Sequence, residues 1–233
     1  MRHVRCQEEV GEMDKSGVLD VSEARASKNN LVRVLLVCGI AVAVLQISAD
    51  VFAALSYQGY SYANQTVSEL SAIGAPTRLF LTVVGFFYEA LVLAFAVGVW
   101  KMAGGKRSLR ITAGLLGLFA LNAFIWTFFP MQQRGSEMAA TDVGHIVGAI
   151  AQVLTIVLFI GSGSGAHGRW FRIFSLLMIA AILACGSVMA SQSSRVAQGL
   201  VTPGAGLFER VSFYGPSIWI LTLAVVLLGA RRQ

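Results

Sequence analysis

The sequence predicts an all-α integral membrane protein, a bundle of six transmembrane helices. Three observations predict it. Of 233 residues, 56% are hydrophobic and only 13% are charged, about half the charged share of a soluble domain. The apolar residues gather in six runs, each near the roughly 20 residues that cross about 30 Å of hydrocarbon. Cations and acids then sort to opposite ends of those runs. A transmembrane barrel is a poor alternative, because its strands would alternate over about 10 residues.

The elements follow in order. Residues 1–30 are polar and mixed in charge, with five Lys/Arg and six Asp/Glu, and read as a disordered cytoplasmic tail. They are no signal peptide, because the first apolar run starts only near Leu31 and no cleavage site of small residues follows it. Residues 31–233 form the six-helix domain. Its apolar runs are 31–55, 79–100, 111–129, 143–160, 173–190 and 211–229. Gly144 and Gly148 place a GxxxG on the fourth helix and allow close packing. The 161–165 stretch, Gly-Ser-Gly-Ser-Gly, reads as a flexible connection without the preceding strand that a phosphate-binding loop needs. Pro216 is the main break in the last helix.

Charge sets the expected orientation. Fourteen Lys/Arg fall at one end of the runs, among them Lys101, Lys106, Arg107, Arg110, Arg169, Arg172, Arg231 and Arg232. Four, Arg78, Arg134, Arg195 and Arg210, fall at the other. The positive end is expected to be cytoplasmic, which places both termini inside the cell membrane. The net charge of +6 is thus a topology signal and no sign of a nucleic-acid partner. Cys6, Cys38 and Cys185 lack paired spacing, so no disulfide framework is expected. His145 is the one histidine of the membrane region, with His3 in the tail and His167 in an inner loop, so a three-histidine zinc site on one side of the membrane is not expected, and neither a metal nor a cofactor is called for.

Most candidate functional residues lie at the expected outer end. In the 56–78 loop, Thr66-x-x-Glu69 is a capping-box pattern that starts a short helix ending before Gly74-Ala75-Pro76. Asn64-Gln65-Thr66 also fits a glycosylation sequon, a weak pattern by itself. Tyr57, Tyr60 and Tyr62 suit an interfacial belt. Asp142-x-x-His145 places both side chains on one helix face. Arg210 opens the last helix and is expected to pair with Asp50 or Asp142, because an unpaired charge there is costly; a lipid phosphate is the sharper alternative. Glu89 lies deep, near Asn122 and Gln152. A neutral Glu89 hydrogen-bonded to those amides is the simpler reading, and a proton relay the other.

The run Val67-Ser68-Glu69-Leu70-Ser71-Ala72-Ile73-Gly74-Ala75-Pro76 resembles the "S-x-L-x-x-x-G-x-P" segment of the bacterial and archaeal family called domain of unknown function 998. Phe129-Pro130, His145 and Gly206-Leu207-Phe208-Glu209-Arg210 are similar to its pattern too, so the resemblance covers residues 31–229. The outer-loop segment more distantly resembles the DRAM and Sfk-type eukaryotic six-helix proteins. The resemblance implies a six-helix membrane domain without established activity, and marks Ser68, His145, Glu209 and Arg210 as candidates.

Three functions compete. The first is binding or modification of membrane lipid at the outer leaflet, with Asp50, Asp142, Glu209 and Arg210 as binding residues. A hydrolytic version uses Ser68 as nucleophile and His145 as base, with Asp50 or Glu209 orienting the imidazole. No serine-hydrolase elbow is present, and the sequence does not decide whether the protein is an enzyme. The second is a small-solute or proton-coupled transporter built on Glu89. The third is a membrane scaffold that assembles with another membrane protein or with its own copies.

Overall fold

The structure, a computed structural model, describes residues 2–230, with side chains from residue 27 onward. Its elements are α1 (Arg2–Ser56), α2 (Val67–Leu70), α3 (Arg78–Met102), α4 (Arg107–Trp126), α5 (Ala140–Gly163), α6 (Gly168–Ser191), α7 (Ser193–Ala197) and α8 (Ala205–Ala230). Six helical segments are long and apolar enough to cross a membrane: Ser27–Ser56 of α1, then α3, α4, α5, α6 and α8. The chain is a multi-pass membrane protein. Val44, Leu79, Phe87, Leu121, Leu154 and Leu177 stand exposed on its flanks, a surface that water would penalise and that lipid solvates.

The backbone of α1 is helical from Arg2. Of residues 2–26 only that course is described, so most of the expected disordered tail lies outside the residues described with side chains. Arg231 and Arg232 also lie outside the described residues. The third run ends earlier than its apolar composition suggests, with α4 stopping at Trp126 and a turn leading to Pro130. Proline disfavours the helical region in the residue before it and supplies no N–H of its own.

The six long helices close into a ring in the order α1, α3, α4, α5, α6, α8, with α8 back against α1. Leu36, Val92, Phe95, Leu116, Phe159, Trp219, Ile220 and Leu223 fill its middle, each without exposed surface. Trp219 wedges between Phe159 and Phe171, and its indole N–H donates to Ser175 Oγ at 2.8 Å. The ring is looser at one seam, where α5 leans on α4 and touches α6 and α8 lightly. Every buried residue of α5 lies at or beyond Gln152, and none of those on α6 lies beyond Ile182. The two helices therefore part toward one end of the bundle.

That end carries the long connections 57–77, 127–139 and 192–204, and we call it the cap. The opposite end has short connections, and α5 runs as helix through Gly163, which shortens the expected flexible stretch. Backbone hydrogen bonds knit the cap loops together. Ile73 N–H donates to Met131 O at 2.9 Å, Gly135 N–H to Val196 O at 3.1 Å and Gly206 N–H to Ala63 O at 3.0 Å. Gly206 is dictated by this contact, because a Cβ there would run into the carbonyl oxygens of Tyr62 and Gln65.

Candidate functional site

The cap is assembled on local signals. Thr66 caps α2, its hydroxyl accepting from Glu69 N–H at 3.2 Å while the Glu69 carboxylate accepts from Thr66 N–H at 2.7 Å. The expected capping box is present, and the same carboxylate also takes a partner from another loop. Arg134 binds it in a fork, Nε to Oε1 and Nη2 to Oε2, both at 2.8 Å. Arg134 further donates to Leu200 O and Thr202 Oγ1, so one guanidinium joins all three cap loops. Burial pushes the Glu69 carboxyl up, but the bonds and charge of Arg134, together with the hydrogen bonds from Thr66 N–H and the Gln65 amide, outweigh it and hold the group below its ordinary 4.5. The Asn64 amide bridges Ser61 and Gly204, so the sequon asparagine is a structural tie.

Arg210 meets Asp50. Its Nε donates to Oδ2 at 2.8 Å and its Nη2 to Oδ1 at 3.1 Å, with 3% and 2% of the two residues exposed. The remaining N–H groups reach Tyr62 O, Gly206 O and the Tyr60 hydroxyl. All five guanidinium donors are thereby used. Tyr62 lies under the guanidinium with its ring centroid 3.4 Å from Cζ, a cation–π contact. Tyr214 donates its hydroxyl to Asp50. Burial pushes the Tyr60 hydroxyl well above its ordinary value, against the pull of Arg210. Tyr60 and Tyr62, expected as an interfacial belt, are instead walls of this ion pair. The alternative partner Asp142 does other work, accepting from Gln132 N–H and Ala139 N–H, both at 2.8 Å, where the chain enters α5.

A second group assembles Ser68 of α2, His145 of α5 and Glu209 of α8. His145 packs against Trp126, with ring centroids 4.9 Å apart and the planes tilted by 44°. Its Nδ1 lies 3.0 Å from Phe129 O and its Nε2 lies 3.4 Å from Ser68 Oγ. A carbonyl only accepts, so Nδ1 carries a proton, and in the neutral ring the Nε2 lone pair is the one that faces Ser68. Ser68 Oγ donates to Glu209 Oε1 at 2.9 Å, and Glu209 Oε2 accepts from Val67 N–H. The GxxxG of α5 makes the placement possible, since Cβ atoms at Gly144 and Gly148 would collide with the rings of Phe129 and Trp126. Neither expected orienter sits on the imidazole: Asp50 is held by Arg210, Glu209 is on the far side of Ser68, and a backbone carbonyl does the orienting.

A family model described as protein of unknown function DUF998 matches residues 40–226. The chain belongs to the DUF998 family. No curated protein and no solved structure matches it. All the site residues named above fall inside the matched stretch of this DUF998 protein.

Two features of the DUF998 chain escaped sequence reasoning. Arg134 and Tyr214 give no signal in spacing, because their partners are far along the chain. Glu89 was expected beside Asn122 and Gln152, yet Asn122 donates to Gln152 Oε1 and Gly148 O, and Gln152 donates to Phe119 O. The amides satisfy each other and leave Glu89 with the Thr127 hydroxyl. Among the described residues, Glu89 Oε2, Trp126 Nε1 and Thr141 Oγ1 are buried without a partner. Trp126 and Thr127 are neighbours at the end of α4, and Thr141 lies one turn before His145. The orphaned atoms thus belong to the elements that flank His145 and Glu89.

Proposed function

We propose that this DUF998 protein binds or modifies membrane lipid at the cap, with Ser68, His145 and Glu209 as the working group and the cap facing the extracytoplasmic side of the cell membrane. The observation that carries this reading is the His145 ring, held by Phe129 O so that Nε2 addresses Ser68 Oγ. It lies on the stretch of α5 that contributes no buried residue, where the α5–α6 seam is loosest. His145 shares the inward face of α5 with Gln152, and exposed Val143, Ile146, Val147 and Ile150 lie on the opposite, lipid-facing side. Arg210 and Asp50 belong to the support, because their hydrogen-bonding capacity is consumed within the fold.

The test is photo-crosslinking of the full chain in nanodiscs with a lipid that carries a diazirine near its headgroup. Labelled peptides are expected from 140–151 and 64–71, and labelling spread evenly around the ring would refute a lipid site. Orientation is tested separately with Ser136→Cys and Gly165→Cys, both exposed, in a cysteine-free background. The first should react with an impermeant maleimide on intact cells and the second only after lysis.

One observation favours a second reading, proton-coupled transport. Glu89 is 6% exposed with one oxygen unpartnered inside a membrane-crossing helix, a position where carboxylates often serve proton or ion pathways. Proton flux into liposomes that is abolished by Glu89→Gln would establish it, and equal flux in both proteins would end it.

A further inference from the structure

The Ser68–His145–Glu209 group is rich in acceptors and poor in donors. Nδ1–H of His145 is committed to Phe129 O at 3.0 Å, so in the neutral imidazole Nε2 is a lone pair. Ser68 has one hydroxyl proton. It goes to Glu209 Oε1 at 2.9 Å in preference to Nε2 at 3.4 Å, which leaves Nε2 without a well-placed donor. The Glu209 carboxylate offers about four acceptor positions and receives Val67 N–H, Ser68 N–H and the Ser68 hydroxyl.

Among the described residues, no Lys or Arg donates a hydrogen bond to the group. Arg210, next to Glu209 in the chain, has spent all five donors on Asp50, Tyr60, Tyr62 and Gly206. Arg134 is held by Glu69, Leu200 and Thr202, and Asp142 faces the 132–139 backbone. A phosphate brought here would meet a carboxylate and an imidazole lone pair with no Lys or Arg to hold it, the unpartnered Trp126 Nε1–H beside His145 being a single neutral donor. A guest with N–H or O–H groups would satisfy both acceptors.

We infer that this group takes the hydrogen-bond-donating end of a lipid headgroup, a primary ammonium or a hydroxyl, and leaves the phosphate outside. The inference rests on the lipid-handling reading above and names its ligand class. The donor end sits between Nε2 of His145 and the Glu209 carboxylate.

Phosphatidylethanolamine and phosphatidylcholine with matched acyl chains separate the possibilities, because both are zwitterions and only the first has N–H donors. The full chain is taken from nanodiscs holding equal amounts of these two and of phosphatidic acid, and bound lipid is read by native mass spectrometry. Phosphatidylethanolamine should be enriched about tenfold over phosphatidylcholine, the scale of one hydrogen bond to a charged group. Glu209→Gln and His145→Phe should each bring the ratio to near parity. If Glu209→Gln fails to fold, His145→Phe decides, since a phenyl ring keeps the packing against Trp126. Preference for phosphatidic acid or phosphatidylcholine, or an ethanolamine preference that survives in both variants, overturns the ligand class and leaves the lipid reading standing. Bound lipid that mirrors the bulk mixture in the wild-type chain overturns both.

Discussion

Two polar groups lie side by side at the cap and behave in opposite ways. Arg210 and Asp50 form a closed set in which all five guanidinium donors and both carboxylate oxygens are matched. Ser68, His145 and Glu209 form an open set: Val67 N–H and the Ser68 hydroxyl both go to the Glu209 carboxylate, which leaves His145 Nε2 without a well-placed donor, and among the described residues no cation is hydrogen-bonded to the group. Each contains a carboxylate on or beside α8, Asp50 buried and Glu209 half-buried, so charge alone does not separate structure from function here. What separates them is completeness. A closed set has nothing left to offer a guest and much to lose on truncation, whereas an open set holds the fold loosely and keeps capacity for a ligand.

The largest effect should come from breaking the closed set. Arg210→Ala leaves Asp50 buried and unpaired, and should lower stability by about 3–5 kcal/mol, read as a drop in Tm in detergent. Adding Asp50→Asn to that variant should recover part of the loss. Arg210→Lys should rescue poorly, because an ammonium has three donors and no planar fork. A neutral Arg210→Ala would mean that the set holds nothing.

The second cap ion pair tests whether closure or mere charge matters. Glu69→Gln removes the fork to Arg134 and should cost about 1.5–3 kcal/mol. Because the folded carboxyl sits below 4.5, the unfolded chain takes up protons first as acid is added. The contribution is therefore complete above 4.5 and fades as pH falls through the folded value. Tm measured against pH should converge for wild type and Glu69→Gln at the acid end, and parallel curves would remove Glu69 from the account. Gly206→Ala probes the seam between the sets without touching a charge. Its Cβ meets backbone oxygens of the first cap loop, which should cost about 1–3 kcal/mol.

The smallest stability effect should fall on the open set. Ser68→Ala deletes one partly exposed hydroxyl and should change stability by about 1 kcal/mol or less, while reducing crosslinking by a headgroup-labelled lipid. A large fall in Tm for Ser68→Ala would make this group a strut like the first and erase the contrast.

How much of this was legible depends on how far apart in the chain the partners lie. The capping box at Thr66 and Glu69 was readable because a helix start needs its acceptors within four residues. The GxxxG of α5 was readable as a close-packing face, though not that aromatic rings of α4 would fill it. Arg210 was readable as needing an acid, because an unpaired boundary charge is costly. Asp50 and Asp142 remained equal candidates until the cap loops fixed their places. Glu89 was misplaced relative to Asn122 and Gln152 because similar depth says nothing about the rotation of each helix about its axis.

The sequence by itself determined the six crossings and their lengths, since crossing depends on composition summed over a run and on 1.5 Å per residue. It also determined the start of α2, a backbone effect of neighbouring residues. Only the tertiary structure decided which acid closes on Arg210, that Arg134 ties the cap loops, and that Phe129 O turns His145 toward Ser68. Those contacts join residues from about 16 to 160 positions apart, and a backbone carbonyl has no side-chain identity for a sequence to display. The helix rotations and loop docking that bring such groups within 3 Å are set by packing across the whole ring, which no local stretch of the chain encodes.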